Sequence, residues 1–166
     1  MAVEEHKSQS ARQVSAAVLT VSDTRNSAGD TSGRLIRDLL REANHRVVSH
    51  RIVRDEPEEI RECLREWIDS VAVQVILISG GTGLAARDIT IEVLESFLEK
   101  KITGFGELFR SLSFQEIGAS AMLSRAAAGI CGGTILVAMP GSEPAVRLAM
   151  TRLVIPELAH MVWLIS

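Results

Sequence analysis

Strong charge of one sign and long apolar runs are both missing from this sequence. Lysine and arginine together number 18 against 21 acidic residues, the net charge is −3, and no long basic cluster occurs. We therefore do not expect nucleic acid as the main partner. No apolar run reaches the roughly 18 residues that cross a bilayer. The first residues, MAVEEHKSQSAR, are polar and unlike a secretory signal. These absences predict a cytoplasmic protein with no membrane partner.

Motifs for metal, redox and common nucleotide sites are also absent. Cys63 and Cys131 lack the spacing of metal-ligand or redox pairs, and the histidines are scattered, so we expect no zinc site. Neither the G-x-G-x-x-G fingerprint nor the Gly-Lys-Ser/Thr of a P-loop occurs. No repeat, low-complexity tract or linker divides the chain. We therefore predict a single domain over residues 14–166, after a flexible tail of residues 1–13.

Short apolar segments alternate with helical patterns along the chain, which is typical of an α/β fold. Hydrophobic residues make up 46% of the sequence, enough for a substantial core. The predicted fold is a three-layer α/β/α sandwich with a mostly parallel central sheet. Predicted strands cover residues 14–22, 46–53, 73–79, 126–131 and 134–139, with the second at the periphery and the last two joined as a hairpin. We expect a turn at residues 103–106, and Pro156 to kink or split the last helix.

A glycine-rich turn follows the most apolar strand, in the stretch VQVILISGGTGLAARDIT at residues 73–90. Gly80, Gly81 and Gly83 lack the Cβ atoms that would hold a ligand away from the backbone. In open α/β sheets, ligands bind outside the carboxyl ends of the strands, where this turn would lie. Arg87 and Asp88 would flank the same opening. The alternative is a simple strand-to-helix connection in which Asp88 or Thr90 caps the next helix.

Two further loops follow predicted strands and offer polar groups. Residues 22–33 are dense in hydroxyl and carboxylate side chains, which either contact a ligand or cap the next helix. Residues 139–144, MPGSEP, form a strand end and helix start with Ser142 as N-cap, a second corner suited to phosphate. Asp55 follows another strand, so Asp55 and Asp88 could share a magnesium ion. Alternatively, an acid before a helix is only a cap or dipole partner.

Four stretches together resemble one family. They are TVSDT with DTSG (residues 20–24 and 30–33), SGGTGLAARDIT (79–90), AMLSRAAAGI (121–130) and MPGS (139–142). The combination is similar to the molybdopterin-binding domain of the MoaB/MogA proteins of molybdenum cofactor synthesis, over about residues 14–160. The stretch GFGELFRSLSFQEIG, followed by MLSR, resembles the MoaB branch more closely than the MogA branch.

This resemblance implies a trimer or hexamer that works with other molybdenum cofactor synthesis proteins. It implies that Mg-ATP adenylylates molybdopterin, with release of pyrophosphate. Asp55 and Asp88 match the two acids associated with catalysis, and the resemblance implies that both hold Mg²⁺. Positions near the pterin, its phosphate and the nucleotide are matched by Ser22, Asp30, Ser32, Gly80, Gly81, Thr82, Gly83, Ser124, Arg125, Pro140, Gly141 and Ser142. The alternative is a carrier or assembly protein that binds molybdopterin without catalysis.

Three departures from the family pattern concern the start of a helix and the holding of phosphate. Ala85-Ala86 and Thr90-Ile91 replace two Thr-Pro pairs, and we expect this to alter how the helix begins. Glu143-Pro144 replaces a small residue followed by lysine. If that lysine holds phosphate in the family, we expect Arg125 or Arg87 to supply the charge here.

Overall fold

A six-stranded sheet forms the centre of the molecule. The computed structural model describes Glu5 and residues 13–166, so nearly all of the predicted flexible tail lies outside the described residues. The strands are β1 (Ser15–Val21), β2 (Arg46–Val53), β3 (Val75–Ser79), β4 (Lys100–Lys101), β5 (Ala127–Cys131) and β6 (Thr134–Met139). Their order is β2-β1-β3-β6-β5-β4. The first four in that order are parallel, and β5 is antiparallel to both of its neighbours.

Helices cover both faces of this sheet, which confirms the three-layer prediction. They are α1 (Thr31–Glu42), α2 (Pro57–Ile68), α3 (Thr90–Phe97), α4 (Thr103–Ile117), α5 (Glu143–Ala149) and α6 (Ile155–Ile165), with a 3₁₀ helix at Gly118–Leu123. Side chains of β1 alternate between the two faces, as strand geometry requires. Ala16 and Val18 pack with α1, α4, α5 and α6, whereas Ala17 and Leu19 pack with α2 and α3.

The structure differs from the sequence-based prediction at α4 and just before it, and the prediction of a turn at residues 103–106 is wrong. Residues 103–106 are the first turn of α4, and Phe105 is buried in the core. Gly106 serves packing, because a Cβ there would lie 2.6 Å from the Ala126 carbonyl oxygen. The sequence also did not predict β4. That strand has two exposed lysines and therefore no apolar alternation.

The C-terminal helix is interrupted near Pro156, as predicted. Met150–Val154 form a π-helical turn between α5 and α6, and Pro156 is the second residue of α6. Proline has no N–H to donate back along the helix, so the regular hydrogen-bond ladder breaks at this point. The interruption confirms that Pro156 divides the helix.

From the sequence we expected no apolar segment long enough to cross a bilayer, and the helical segment Glu143–Ile165 corrects this expectation. It is long and apolar enough to cross a membrane by length and composition, with a mean hydropathy of 1.4. Core helices of soluble proteins satisfy the same criterion. Val146, Ala149 and Leu158 are fully buried against the sheet. Core packing therefore accounts for the apolar residues on the face of this segment that contacts the sheet.

Parallel strands place their carboxyl ends along one edge of the sheet. The loops that follow β1, β2, β3 and β6 consequently meet at that edge, although they are distant in the sequence. They carry all of the predicted site residues except Ser32, which lies in the first turn of α1, and Ser124 and Arg125, which precede β5.

Candidate active site at the carboxyl edge of the sheet

A cleft of about 370 Å³ opens at this edge. That volume lies within the range of small-molecule pockets. Its lining consists of Gly80, Gly81, Thr82, Gly83, Asp88, Leu123, Ser124, Arg125, Pro140, Gly141 and Ser142. All of these except Leu123 were proposed from the sequence. Leu123 was missed because an apolar residue carries no signal for a polar site.

The glycine turn of the cleft depends on missing side chains at Gly80 and Gly81. Both residues have positive φ, at 92° and 66°. A Cβ on Gly80 would overlap the Val21 carbonyl oxygen. A Cβ on Gly81 would overlap Thr90 Oγ1 and lie 2.9 Å from Asp55 Oδ1. The glycines therefore allow the end of β3 to pack directly against its neighbours.

Asp55 lies beside this turn, in the loop that follows β2. Its backbone N–H donates to Asp23 Oδ1 at 3.1 Å. Burial raises the pKa of the Asp55 carboxyl, and the charges of Asp23 and Asp88 raise it further, while Arg87 opposes them. The two proposed catalytic carboxylates are thus close enough to repel each other. A cation bound between them would relieve this repulsion.

Asp88 closes a local turn and also faces the cleft. Its Oδ2 accepts from the Ala85 N–H at 3.1 Å, and its own N–H donates to the Ala85 carbonyl oxygen at 2.9 Å. The alternative interpretation, in which Asp88 or Thr90 caps the next helix, is wrong. α3 begins after Ile89, without any side-chain cap. Asp88 instead stabilises the turn before that helix.

Arg87 is engaged in ion pairs with carboxylates. Its Nε and Nη2 lie 2.9 and 3.1 Å from the two oxygens of Asp23, and Nη2 lies 3.2 Å from Glu56 Oε1. Hydrogen bonding to Arg87 lowers the pKa of Asp23. The positive charge expected from Arg87 is consequently balanced by two acids.

Arg125 holds both ends of the glycine-rich loop. It donates from Nε to the Thr82 carbonyl oxygen at 3.0 Å and from Nη2 to that of Asp88 at 2.9 Å. It also forms an ion pair with Glu92, and this hydrogen bonding lowers the pKa of Glu92. Arg125 therefore lines the cleft mainly as the support of its loop.

Asp30, Ser32 and Ser22 lie outside the lining of the cleft. Asp30 is completely buried, caps α1 through the Gly33 N–H at 2.9 Å, and accepts from Thr20 Oγ1 at 2.8 Å. Ser32 is also buried and donates to the Gly141 carbonyl oxygen. Backbone N–H groups of residues 24 and 25 donate to Ser22 Oγ, at 3.3 and 3.1 Å. These side chains organise the loops behind the cleft.

Ser124 and Ser142 line the cleft at two helix ends. Ser124 ends the 3₁₀ helix, with its N–H donating to the Ala121 carbonyl oxygen at 3.1 Å. Ser142 is the N-cap of α5, as predicted, and accepts from the Ala145 N–H at 3.4 Å.

The donor groups beside the glycine turn fit a magnesium ion that arrives with a substrate. Asp55 and Asp88 supply two carboxylates, and Thr90 Oγ1 is buried with no hydrogen-bond partner. Within the described residues, no group of three or more histidine, cysteine or acidic side chains could hold a metal alone. Mg²⁺ typically takes one or two carboxylates and completes its shell with water and substrate phosphates. Asp55 and Asp88 match that requirement.

Comparison with known proteins agrees with this architecture. Residues 17–160 match the family model described as a probable molybdopterin binding domain. The chain belongs to the MoaB/MogA family. Molybdenum cofactor biosynthesis protein B of Bacillus cereus is 48% identical over 162 residues, which cover 97% of this chain and 96% of that protein.

Two solved MoaB structures support the same assignment. A crystal structure of molybdenum cofactor biosynthesis protein B superposes with a TM-score of 0.91 at 46% identity, covering 93% of this chain and 96% of that one. The tungsten cofactor synthesizing protein MoaB from Pyrococcus furiosus gives a TM-score of 0.82 at 34% identity, covering 90% and 95%. The MoaB fold predicted from the sequence is therefore confirmed.

Proposed function

We propose that this MoaB-family protein transfers the adenylyl group of Mg-ATP to molybdopterin and releases pyrophosphate. The observation that carries the proposal is the placement of two carboxylates at the glycine turn, with Asp88 in the lining of the cleft and Asp55 beside Gly81. Family membership supports molybdopterin as the second substrate.

In this reaction the terminal phosphate of molybdopterin attacks the α-phosphorus of ATP. A new P–O bond forms, the bond to the β-phosphate oxygen breaks, and pyrophosphate leaves with the electron pair. Positioning and charge neutralisation dominate phosphoryl-type transfers. The glycine turn offers backbone donors to the phosphates. Asp55 and Asp88 would hold the magnesium ion that accompanies ATP and align the attack.

The ion pairs at the site make magnesium the main source of positive charge in this proposal. Arg87 is balanced by Asp23 and Glu56, and Arg125 by Glu92. Asp55 and Asp88 would repel an anionic substrate in the absence of a cation. We therefore expect substrate binding to require magnesium.

Pyrophosphate release from Mg-ATP, with purified protein and molybdopterin, tests the proposal. Asp55→Ala and Asp88→Ala should each reduce turnover at least about a hundredfold, or about 2.7 kcal/mol of barrier. Asp38→Ala is the matched control, because Asp38 is exposed on α1, where it pairs with Arg41. Equal turnover in all four proteins would contradict a role for the two carboxylates.

A second candidate function is a carrier that binds molybdopterin without catalysis. The ion pairs of Arg87 and Arg125 favour a carrier, because they leave little positive charge to stabilise a transition state in the absence of a metal. The carrier predicts molybdopterin binding with no pyrophosphate release. It also predicts that removal of either aspartate leaves binding intact.

We further infer a homo-oligomer, either a trimer or a hexamer. Phe114 and Met122 share a shallow depression, and with Ile117 and Leu123 they form an apolar patch on α4 and the 3₁₀ helix. Each of the four is more than half exposed, and such patches typically mark interfaces. Light scattering should find a larger assembly for wild type and a smaller one for Met122→Asp. Val71→Asp, at an exposed site on another loop, should leave the assembly unchanged.

A further inference from the structure

One arginine joins two cleft-forming loops that are far apart in the sequence. Arg25 Nη2 donates to the Gly141 carbonyl oxygen at 3.2 Å across a separation of 116 residues, and Nη1 donates to Ser32 Oγ at 2.7 Å. Ser32 Oγ donates to the same carbonyl oxygen. The loops that follow β1 and β6 are therefore tied together, although β3 lies between those strands in the sheet.

Arg25 is itself held at both ends. Its backbone N–H donates to Ser22 Oγ at 3.1 Å, and its guanidinium lies 4.0 Å from Asp30 Oδ1, a carboxylate with no exposure. Only 31% of the Arg25 side chain is exposed. A planar guanidinium with several fixed partners has a defined orientation. Arg25 therefore differs from an ordinary solvated surface arginine.

The position of Gly141 matters because it packs against the glycine turn. A Cβ on Gly141 would lie 3.1 Å from Gly80 Cα, and the Gly80 N–H donates to the Met139 carbonyl oxygen at 3.2 Å. Gly80 and Gly141 both line the cleft. A shift of Gly141 would therefore change the shape of the cleft directly.

Peptide geometry links the Gly141 carbonyl to the next backbone donor. Peptide bonds in the described residues are all trans, so the Gly141 C=O and the Ser142 N–H point in opposite directions. The carbonyl faces Arg25 and Ser32, neither of which lines the cleft. The Ser142 N–H consequently points away from Arg25 and Ser32, and Ser142 itself lines the cleft.

We propose that Arg25 is a positioning residue for phosphate recognition in this cleft. By holding the Gly141 carbonyl, it directs the Ser142 N–H towards the phosphate of bound molybdopterin. This inference rests on the proposed function for its substrate. Its structural part, the fixing of residues 140–142 by Arg25, can be measured without any substrate.

Hydrogen exchange of residues 139–146 tests that structural part. Arg25→Ala should accelerate exchange there about tenfold, as expected for loss of a charged hydrogen bond. Arg41→Ala, an exposed arginine on α1 that pairs with Asp38, should leave exchange unchanged. Unchanged exchange in Arg25→Ala would overturn the inference whether or not the protein proves to be an enzyme.

Steady-state kinetics test the substrate part. Arg25→Ala should raise the KM for molybdopterin about tenfold and change kcat much less, because it weakens ground-state binding. Millimolar guanidinium chloride should restore part of the affinity in Arg25→Ala but not in Ser32→Ala. Arg25→Lys should retain the defect, since an ammonium cannot reproduce the two-point contact. It also serves as the test if Arg25→Ala does not fold.

Each kinetic outcome bears on a different claim. A wild-type KM in Arg25→Lys and Arg25→Ala would overturn the role of Arg25 in recognition. Absence of turnover in wild type would instead contradict the proposed function, and the hydrogen-exchange result would still decide the structural role.

Discussion

Arg87 and Asp23 form a two-point ion pair between the loops that follow β3 and β1, with N–O distances of 2.9 and 3.1 Å. The same Asp23 Oδ1 accepts the backbone N–H of Asp55. One carboxylate therefore connects the exposed arginine to a proposed catalytic residue. Through its charge, Arg87 counteracts the effects of burial, Asp23 and Asp88 that raise the pKa of Asp55.

Replacing Arg87 with alanine should raise the pKa of Asp55 further. The carboxyl would lose a nearby positive charge, while burial and the repulsion from Asp23 and Asp88 remain. If ionised Asp55 is needed for magnesium binding, activity in Arg87→Ala should be lost at a higher pH than in wild type as the solution is acidified. Carbon-13 titration of Asp55 and a pH–rate profile measure both effects. An unchanged Asp55 titration would exclude this coupling.

Replacing Asp55 with asparagine should stabilise the fold at neutral pH while removing activity. Burial raises the pKa of Asp55 above its ordinary value of 3.8, so the negative charge destabilises the folded state at neutral pH. That penalty is full above the raised pKa and disappears as the pH falls towards the ordinary value. The Tm of Asp55→Asn should therefore exceed that of wild type at neutral pH and converge with it near about pH 4. A lower Tm at neutral pH would contradict this electrostatic account.

The two glycines Gly81 and Gly104 should respond oppositely to alanine. At Gly81, φ is 66° and a Cβ would collide with Thr90 Oγ1, so Gly81→Ala should cost about 1–3 kcal/mol of unfolding free energy. At Gly104, in α4, a Cβ meets nothing within 4 Å, so Gly104→Ala should gain up to about 1 kcal/mol. Denaturant unfolding measures both. Equal effects at the two positions would show that the turn does not need its glycine.

Arg125→Lys should loosen the loop that carries Asp88. Lysine retains the charge beside Glu92. It lacks the planar guanidinium whose separate N–H groups donate to the carbonyl oxygens of Thr82 and Asp88. Trypsin should then cut after Arg87 about tenfold faster, because the loop loses hydrogen bonds from a charged donor. Arg152→Lys, at an exposed position on the C-terminal helix, is the control. Equal cleavage rates in the two variants would show that Arg125 does not hold the loop.

Much of the architecture was predictable because it depends on local patterns. The apolar run before Ser79 predicted a buried strand, and Gly132-Gly133 predicted the hairpin of β5 and β6. Both features arise from signals within a few residues, namely the pattern of apolar residues and the residue types of the turn. Gly106, by contrast, was assigned to a turn, because its close approach to Ala126 is a tertiary contact invisible in the sequence.

The cleft was predictable in outline but not in its internal contacts. Parallel strands bring their carboxyl ends together, so residues in the loops after β1, β2, β3 and β6 could be grouped in advance. Local composition did not distinguish Asp30, a buried helix cap, from Asp88, which lines the cleft. Nor could it show that Arg25 contacts Gly141, 116 residues away.

Transfer of labelled phosphorus from α-labelled ATP to molybdopterin tests the central claim most directly. The account predicts that wild type forms a labelled adenylyl-pterin in equal amount to the pyrophosphate released, only with magnesium. Asp88→Asn, which keeps the shape of the side chain, should form at least about a hundredfold less product per unit time. Molybdopterin binding by wild type without any transfer of label would contradict the account and favour the carrier.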